Sequence, residues 1–111
     1  RKDGGETSDA KAVEYMQTLQ SRAAMASPTV TGTTVSLNQI FDEISREMFW
    51  EGQRRTTLIR FGKYSSANYL WPFKGGVENG VGFSAHLELF PIPADDRLAN
   101  PNISQNDGYN D

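Results

Sequence analysis

The sequence has 111 residues, the length of one small domain, and its hydrophobic fraction is 37% without glycine, against roughly 45–50% in globular domains when glycine is counted. A formal net charge of −3 excludes a broad basic surface for nucleic acid, and the absence of cysteine excludes disulfides and thiolate metal ligands. The thin apolar content and the first residue, Arg1, lead us to expect a segment of a larger protein.

The first predicted element is an amphipathic helix near residues 9–25. Its buried face is formed by side chains that recur at three- and four-residue steps, namely Ala12, Val13, Met16, Leu19, Gln20 and Ala23. Ser8 is positioned to cap this helix. The helix ends by Ser27, because Pro28 disfavours the helical conformation of the residue before it.

A second helix is predicted to begin at Leu37, where the local signal is strongest. Ser36 and Gln39 have the spacing of a capping box, in which each side chain bonds the backbone amide of the other residue. The apolar residues Val35 and Ile40 flank this cap at the positions of a hydrophobic staple. These signals together predict a well-defined helix start.

We expect the second helix to run without interruption over about residues 37–61. Gly62 is the residue type that ends helices, and Arg60 lies near the negative end of the helix dipole. Acidic and basic residues are spaced one turn apart at Asp42–Arg46 and Glu51–Arg55. Two such helices predict an antiparallel hairpin.

The remaining segment, residues 62–111, is predicted to be mostly irregular. It is rich in Gly, Pro and polar residues, and "YLWPF" and "VGFSAHLELFPIP" each suggest a short extended piece. A loop of this length usually carries a function or covers another part of a larger body.

Two acidic residues on the second helix raise the question of catalysis. Glu47 and Glu51 lie one turn apart and could act as a general acid and base. Neighbouring Arg46 and Arg54 would lower the pKa values of both carboxyls, whereas paired-carboxylate catalysis requires those values to differ. We therefore interpret these charges as structural ion pairs and predict no catalytic residues.

The other polar candidates are also interpreted structurally. His86 is the only histidine, and without a second His or Cys nearby it is not expected to bind a metal. The arginines of the second helix are interleaved with acids, so internal pairing is favoured over nucleic-acid binding. No metal, cofactor or nucleic-acid partner is predicted.

Four aromatic residues form the only candidate ligand contacts. Tyr64, Tyr69, Trp71 and Phe73 lie in a proline-containing loop. Their rings could stack on a sugar face, or they could anchor the loop to the hairpin. Tyr69 and Trp71 are retained as candidate ligand-binding residues, with loop anchoring as the favoured role.

The order of motifs resembles the C-terminal portion of the SusD/RagB family, the outer-membrane nutrient-binding lipoproteins of Bacteroidetes. The resemblance rests on "REMFWEGQRRTTLIRFG", followed by "LELFPIPADDRLANPNISQNDGY" near the end of the chain. The positions matching the family pattern are Arg46, Glu47, Glu51, Gly52, Arg54, Leu58, Arg60, Gly62, Pro91, Ile92, Pro93, Asn100, Pro101, Gln105, Asn106, Gly108 and Tyr109. The chain departs from the pattern at Arg55, Thr57 and Phe61, where Trp, Asp and Trp are usual.

This resemblance implies an all-α, SusD-like fold with a tetratricopeptide-like helical hairpin and a long irregular C-terminal segment. It also implies non-catalytic glycan binding at the cell surface during polysaccharide utilisation, as the partner of a SusC-like TonB-dependent transporter. The parent protein would be attached to the outer membrane by a lipid upstream of this chain, and its remaining N-terminal part would be a further partner.

Two expectations remain to be compared with the structure. The alternative function is a helical protein–protein interaction module without a ligand site of its own. Gly52 is expected to allow another backbone to approach the second helix closely, with the flanking Glu and Arg side chains tying the irregular tail to that helix.

Overall fold

The computed structural model describes residues 5–24 and 26–109. The chain divides into two compact units, Arg1–Thr57 and Leu58–Asp111, which are considered separately below. The predicted helical position 25 and the last two residues of the predicted irregular tail lie outside the described residues.

The first unit contains most of the regular structure. It comprises β1 (Glu6–Thr7), α1 (Ala10–Arg22), β2 (Val35–Ser36) and α2 (Leu37–Glu47), and the division between the units falls within α3 (Arg54–Arg60). The expectation of a predominantly helical chain is confirmed. Asp9, and not Ser8, caps α1, because its Oδ1 accepts hydrogen bonds from the backbone amides of Lys11 and Ala12 at 2.9 and 3.2 Å.

The two long helices begin at the same end of the first unit. β1 and β2 pair antiparallel through Glu6–Ser36 and Thr7–Val35, and each strand immediately or closely precedes its helix. The Arg22–Glu47 ion pair joins the C-terminal ends of α1 and α2, so the two helices run in the same direction and the predicted antiparallel hairpin is wrong. The connection between them is long enough to return along α1, where the Gln17 side chain donates to the Gly32 carbonyl at 3.1 Å.

The apolar core of this unit lies between the two helix starts. Val13, Met16, Val30 and Val35 form a buried cluster against which Ile40 packs. The predicted staple is thus present. The predicted capping box is confirmed as well: the Gln39 amide donates to Ser36 Oγ at 3.1 Å, and the Ser36 amide donates to Gln39 Oε1 at 2.8 Å.

Gln20 joins α1 to both the connecting segment and α2. Its side chain is buried, and its Oε1 accepts from the backbone amides of Thr29 and Val30 at 3.0 and 3.2 Å. Its Nε2 donates to Glu43 Oε2 at 3.2 Å. Glu43 is itself buried and accepts from Arg46 at 2.6 Å, so the predicted Asp42–Arg46 pair is replaced by Glu43–Arg46. A hydrogen-bonded polar network therefore braces the helices where the apolar cluster ends.

The predicted continuous helix over residues 37–61 is interrupted by a turn at residues 48–53, called here the Trp50 turn. Trp50 and Gly52 have φ values of +68° and +71°, which a right-handed helix does not permit. Glu51 consequently lies outside a helix, so its predicted one-turn pairing with Arg55 has no helical basis. Among the described residues, no heavy atom lies within 4 Å of a Cβ built at Gly52. The glycine thus permits a left-handed turn, and within the described residues no other part of the backbone packs closely on it.

The second unit is mostly irregular, as predicted, but contains one further helix. α3 ends as expected at Gly62: the amides of Gly62 and Lys63 donate to the carbonyls of Ile59 and Leu58 at 2.9 and 2.8 Å, in the pattern of a Schellman motif. Short 3₁₀ turns occupy Lys74–Gly76 and Ala85–Glu88, and α4 spans Ala94–Ala99. The extended pieces predicted within "YLWPF" and "VGFSAHLELFPIP" are not strands, and the second contains a 3₁₀ turn instead.

Candidate functional site

The aromatic loop of the second unit is built around the buried side chain of Lys74. This residue is 1% exposed, and its Nζ donates to the backbone carbonyls of Ser66 and Tyr69, both at 2.7 Å, and of Lys63 at 3.3 Å. Removal from water lowers the pKa of Lys74 below its usual value. Three carbonyl acceptors replace the lost hydration, so the loop closes on an internal amine.

Aromatic rings cover the same amine. The centroids of Trp71 and Phe83 lie 4.7 and 5.4 Å from Lys74 Nζ, and the two rings lie 6.1 Å apart. Tyr64 packs on Phe83 at 4.9 Å, and Tyr69 packs edge-on against Trp71 at 6.1 Å. A charged amine near ring faces is attracted by their quadrupoles. We call these four rings and Lys74 the Lys74 cage.

The cage brings together three of the four predicted aromatics. Tyr64, Tyr69 and Trp71 are half-buried members, whereas Phe73 is 68% exposed and has a φ of +64°. Sequence reasoning missed Lys74 and Phe83. The available signal was the run "FKGG", in which a lysine precedes two glycines able to adopt the positive φ values of a tight turn.

Close-approach glycines are found instead in the second unit, and Gly82 in the cage loop is one of them. A Cβ built there would lie 2.9 Å from the Ser65 carbonyl oxygen and 3.1 Å from the Ala67 nitrogen. Those distances leave no room for a side chain unless the backbone moves. Gly82 therefore lets the irregular segment after the 3₁₀ turn at Lys74–Gly76 pack directly on the backbone of Ser65 and Ala67.

The candidate carboxylates do not form a pair. Glu47 ends α2 and forms an ion pair with Arg22 of α1, while Glu51 is exposed in the Trp50 turn. Arg54 donates to Ser45 Oγ, and its guanidinium lies 4.5 Å from the Phe41 ring centroid. The predicted structural ion pairing is thus found for Glu47.

The tail motif forms its own set of contacts within the second unit. Gln105 bonds both backbone groups of Ile92, accepting from its amide at 2.8 Å and donating to its carbonyl at 3.0 Å. Asn106 donates to the Phe90 carbonyl at 2.8 Å, and Tyr109 donates to the Leu89 carbonyl at 2.7 Å. The remaining predicted motif positions bracket α4, with Pro91 and Pro93 before it and Asn100 and Pro101 after it. These positions hold the tail in a defined conformation.

His86 lies inside this tail structure and not at a strand edge. Its Nδ1 lies 2.9 Å from Ser84 Oγ, and its ring packs edge-on against Tyr109 at 4.9 Å. The described residues contain no group of three or more His, Cys, Asp or Glu side chains arranged to hold a metal ion. They also include no helix long and apolar enough to cross a membrane.

The Trp50 turn carries the most exposed large rings of the first unit. Trp50 is 89% exposed and Phe49 is 72% exposed, with ring centroids 6.0 Å apart at an interplanar angle of 84°. A groove of about 510 Å³ lies beside them, between Ile44 and Thr57. Neither ring belongs to the buried core of the first unit.

The helical first unit, the caged aromatic loop and the exposed ring pair define a binding or docking protein built on helices. The profile of the SusD family matches residues 2–109, and the chain belongs to this family. Members of this family are binding proteins and not enzymes, in agreement with the expectation of non-catalytic binding.

A curated relative supports the same assignment. Over 76 residues the chain is 43% identical to the starch-binding protein SusD of Bacteroides thetaiotaomicron. That alignment covers 68% of this chain and 14% of the relative, so the chain spans only a small part of the relative's length.

Proposed function

We propose that the chain is part of a glycan-binding protein that captures nutrient at the cell surface. The observation that carries this proposal is the match to the SusD family over nearly the whole chain, together with 43% identity to a starch-binding protein. The ligand class is therefore an oligosaccharide or polysaccharide, with starch-type glucans as the first to be tested.

The same family membership supports a role in uptake. We propose that the intact protein is a surface-exposed lipoprotein of the outer membrane, anchored through its N-terminal region, and that it associates with a SusC-like TonB-dependent transporter. The remaining N-terminal part of the same polypeptide would then complete the fold. This arrangement places glycan capture next to a transporter that moves the captured nutrient inward.

Within this segment, Tyr69 and Trp71 are the proposed ligand contacts. Both rings are half-exposed and held at a fixed mutual angle of 62° by the Lys74 cage. A ring held rigidly stacks on a sugar with little loss of conformational entropy. The other faces of these side chains remain committed to the cage.

The test is glycan binding by the intact polypeptide, measured by calorimetry with malto-oligosaccharides and with unrelated glucans. We expect saturable binding without release of reducing sugar, and a several-fold weaker affinity for Tyr69→Ala. Phe73→Ala is the matched control, because Phe73 lies in the same loop but outside the cage. No binding across starch, other glycan and peptide panels would contradict the proposed function.

A second candidate function is supported by one observation. The exposed rings of Phe49 and Trp50 are typical of a protein contact, which favours an interaction module without its own ligand site. Capture of the transporter by the intact protein, combined with no glycan binding under any condition tested, would favour this alternative.

A further inference from the structure

We propose that the Trp50 turn is a docking surface for another segment of the same polypeptide. The inference rests on the proposed function, in which this chain is one part of a longer SusD-family protein. The surface consists of the rings of Phe49 and Trp50 and the adjoining groove between Ile44 and Thr57. Its occupant is an apolar segment from outside residues 1–111.

The shape of the surface is suited to packing. The two rings stand edge to face at 6.0 Å, an arrangement that aromatic quadrupoles favour. Exposed aromatic residues beside an apolar groove are the features that dominate binding energy in protein contacts. A groove of about 510 Å³ accommodates several inserted side chains.

The backbone of the turn points to the same conclusion. Trp50 has a φ of +68°, a conformation that costs free energy for a residue with a bulky side chain. The backbone hydrogen bonds of the turn include those from the Glu51 amide to the Met48 carbonyl at 3.1 Å and from the Phe49 amide to the Arg46 carbonyl at 3.4 Å. Holding an indole in water by a strained backbone gains nothing for the first unit. Burial against a partner would offset this cost.

The chemistry of the groove favours protein over sugar as the occupant. Sugar binding requires directional polar groups around a stacking ring. The guanidinium of Arg54 already donates to Ser45 Oγ and lies on the Phe41 ring. Most of the exposed area that lines the groove is apolar and includes Ile44, Met48 and Phe49, while Ser45, Gln53, Arg54 and Thr57 supply its polar part.

The length of the relative indicates where the occupant comes from. The aligned region is 14% of the starch-binding relative, so most of such a protein lies outside this segment. A segment of the same polypeptide has a far higher effective concentration than a separate partner. An intramolecular contact therefore forms without the loss of translational freedom that a second molecule incurs.

The experiment places the photo-cross-linking residue p-benzoylphenylalanine at Phe49 in the intact polypeptide. We expect irradiation to give an intramolecular cross-link, mapped by mass spectrometry to one apolar segment outside residues 1–111. The same residue at Tyr15, which is 62% exposed on α1, is the matched control and should give at least fivefold less of a defined product.

Each other outcome overturns the proposal. A cross-link to a second copy or to the transporter would assign the surface to an intermolecular contact. A cross-link abolished by malto-oligosaccharide would assign it to ligand, and a yield equal to that at Tyr15 would show no docking. Glycan binding is measured in parallel on the same protein without irradiation. Failure of docking is thereby distinguished from failure of the proposed function.

Discussion

Burial of the Lys74 amine removes it from water, and three backbone carbonyls take the place of its hydration shell. A single side chain thereby ties together three points of a largely irregular loop. The sequence signal for this role was weak, because the acceptors lie five, eight and eleven residues away in irregular chain. Only the folded loop shows that these carbonyls converge.

Replacing Lys74 with Met tests the cage and its dependence on pH. Three part-buried carbonyls lose their donor. We therefore expect the free energy of unfolding of the intact protein to fall by about 2 kcal/mol, seen as a lower melting temperature. Desolvation lowers the pKa of Lys74 in the folded state below 10.5. Between the lowered pKa of the folded state and 10.5, the unfolded chain binds more protons than the folded chain, so the stability of the wild type rises with pH. The neutral amine of Lys74 still has two N–H groups to donate.

The measured quantity is the difference in melting temperature between wild type and Lys74→Met as the pH approaches 10.5. That difference should widen, because only the wild type gains stability from this group. Lys11→Met, at an exposed lysine of α1, gives the baseline. A difference that narrows as the pH rises would contradict a lowered pKa.

For Gly52 the structure predicts an effect of backbone conformation, whereas its sequence context suggested an effect of close packing. Its φ of +71° is readily adopted by glycine and costs a residue with a Cβ about 1 kcal/mol. Gly52→Ala should lower the melting temperature of the intact protein accordingly, and Gly52→Asn should lower it less, because asparagine tolerates this conformation.

Gly32→Ala is the control for Gly52. Gly32 also has open space around its Cβ position but does not have a positive φ. It should leave the melting temperature almost unchanged. If alanine lowered the melting temperature equally at both glycines, the positive φ of Gly52 would not be the cause of its effect.

At the scale of elements, the buried Gln20 links α1 to α2 and to the connecting segment through hydrogen bonds, which a hydrophobic pattern alone does not specify. Gln20→Leu keeps the size of the side chain but leaves the amides of Thr29 and Val30 without this acceptor and removes one of the two donors to Glu43, the other being Arg46. We expect a loss of about 3 kcal/mol, seen as a large drop in melting temperature.

The matched substitution for Gln20 is Gln17→Leu. Gln17 lies on the same helix but is exposed and makes a single hydrogen bond, to the Gly32 carbonyl. Its replacement should cost under about 1 kcal/mol. If both variants unfold at the same temperature, the buried network contributes nothing beyond an exposed bond.

The elements that were predictable have their determinants close together in sequence. The cap at Ser36 and Gln39 spans three residues, and the end of α3 at Gly62 depends on its own last turn. The break in the second helix was not predictable, because no propensity indicates a left-handed conformation for Trp50. The common starting end of α1 and α2 depends on the β1–β2 pairing across a long connection, which a hydrophobic period does not encode.

At the scale of the whole molecule, the separation of Glu47 from Glu51 sets the expected chemistry. The turn takes Glu51 out of the helix, and Glu47 is engaged by Arg22, so the two carboxylates are not presented as a pair one helical turn apart. This geometry agrees with membership of a family that binds and does not cleave.

The corresponding prediction uses Glu47→Gln and Glu51→Gln in the intact protein. Neither should change glycan affinity, and wild type should release no reducing sugar from starch-type glucans over hours. Glu47→Gln should lower the melting temperature slightly, because a partly exposed ion pair contributes up to about 1 kcal/mol. Glu51→Gln supplies the reference, since Glu51 is exposed. If wild type released sugar and either substitution abolished that release, the prediction would be wrong. The two carboxylates would then have to act together in catalysis although the Trp50 turn removes Glu51 from the helix that ends at Glu47.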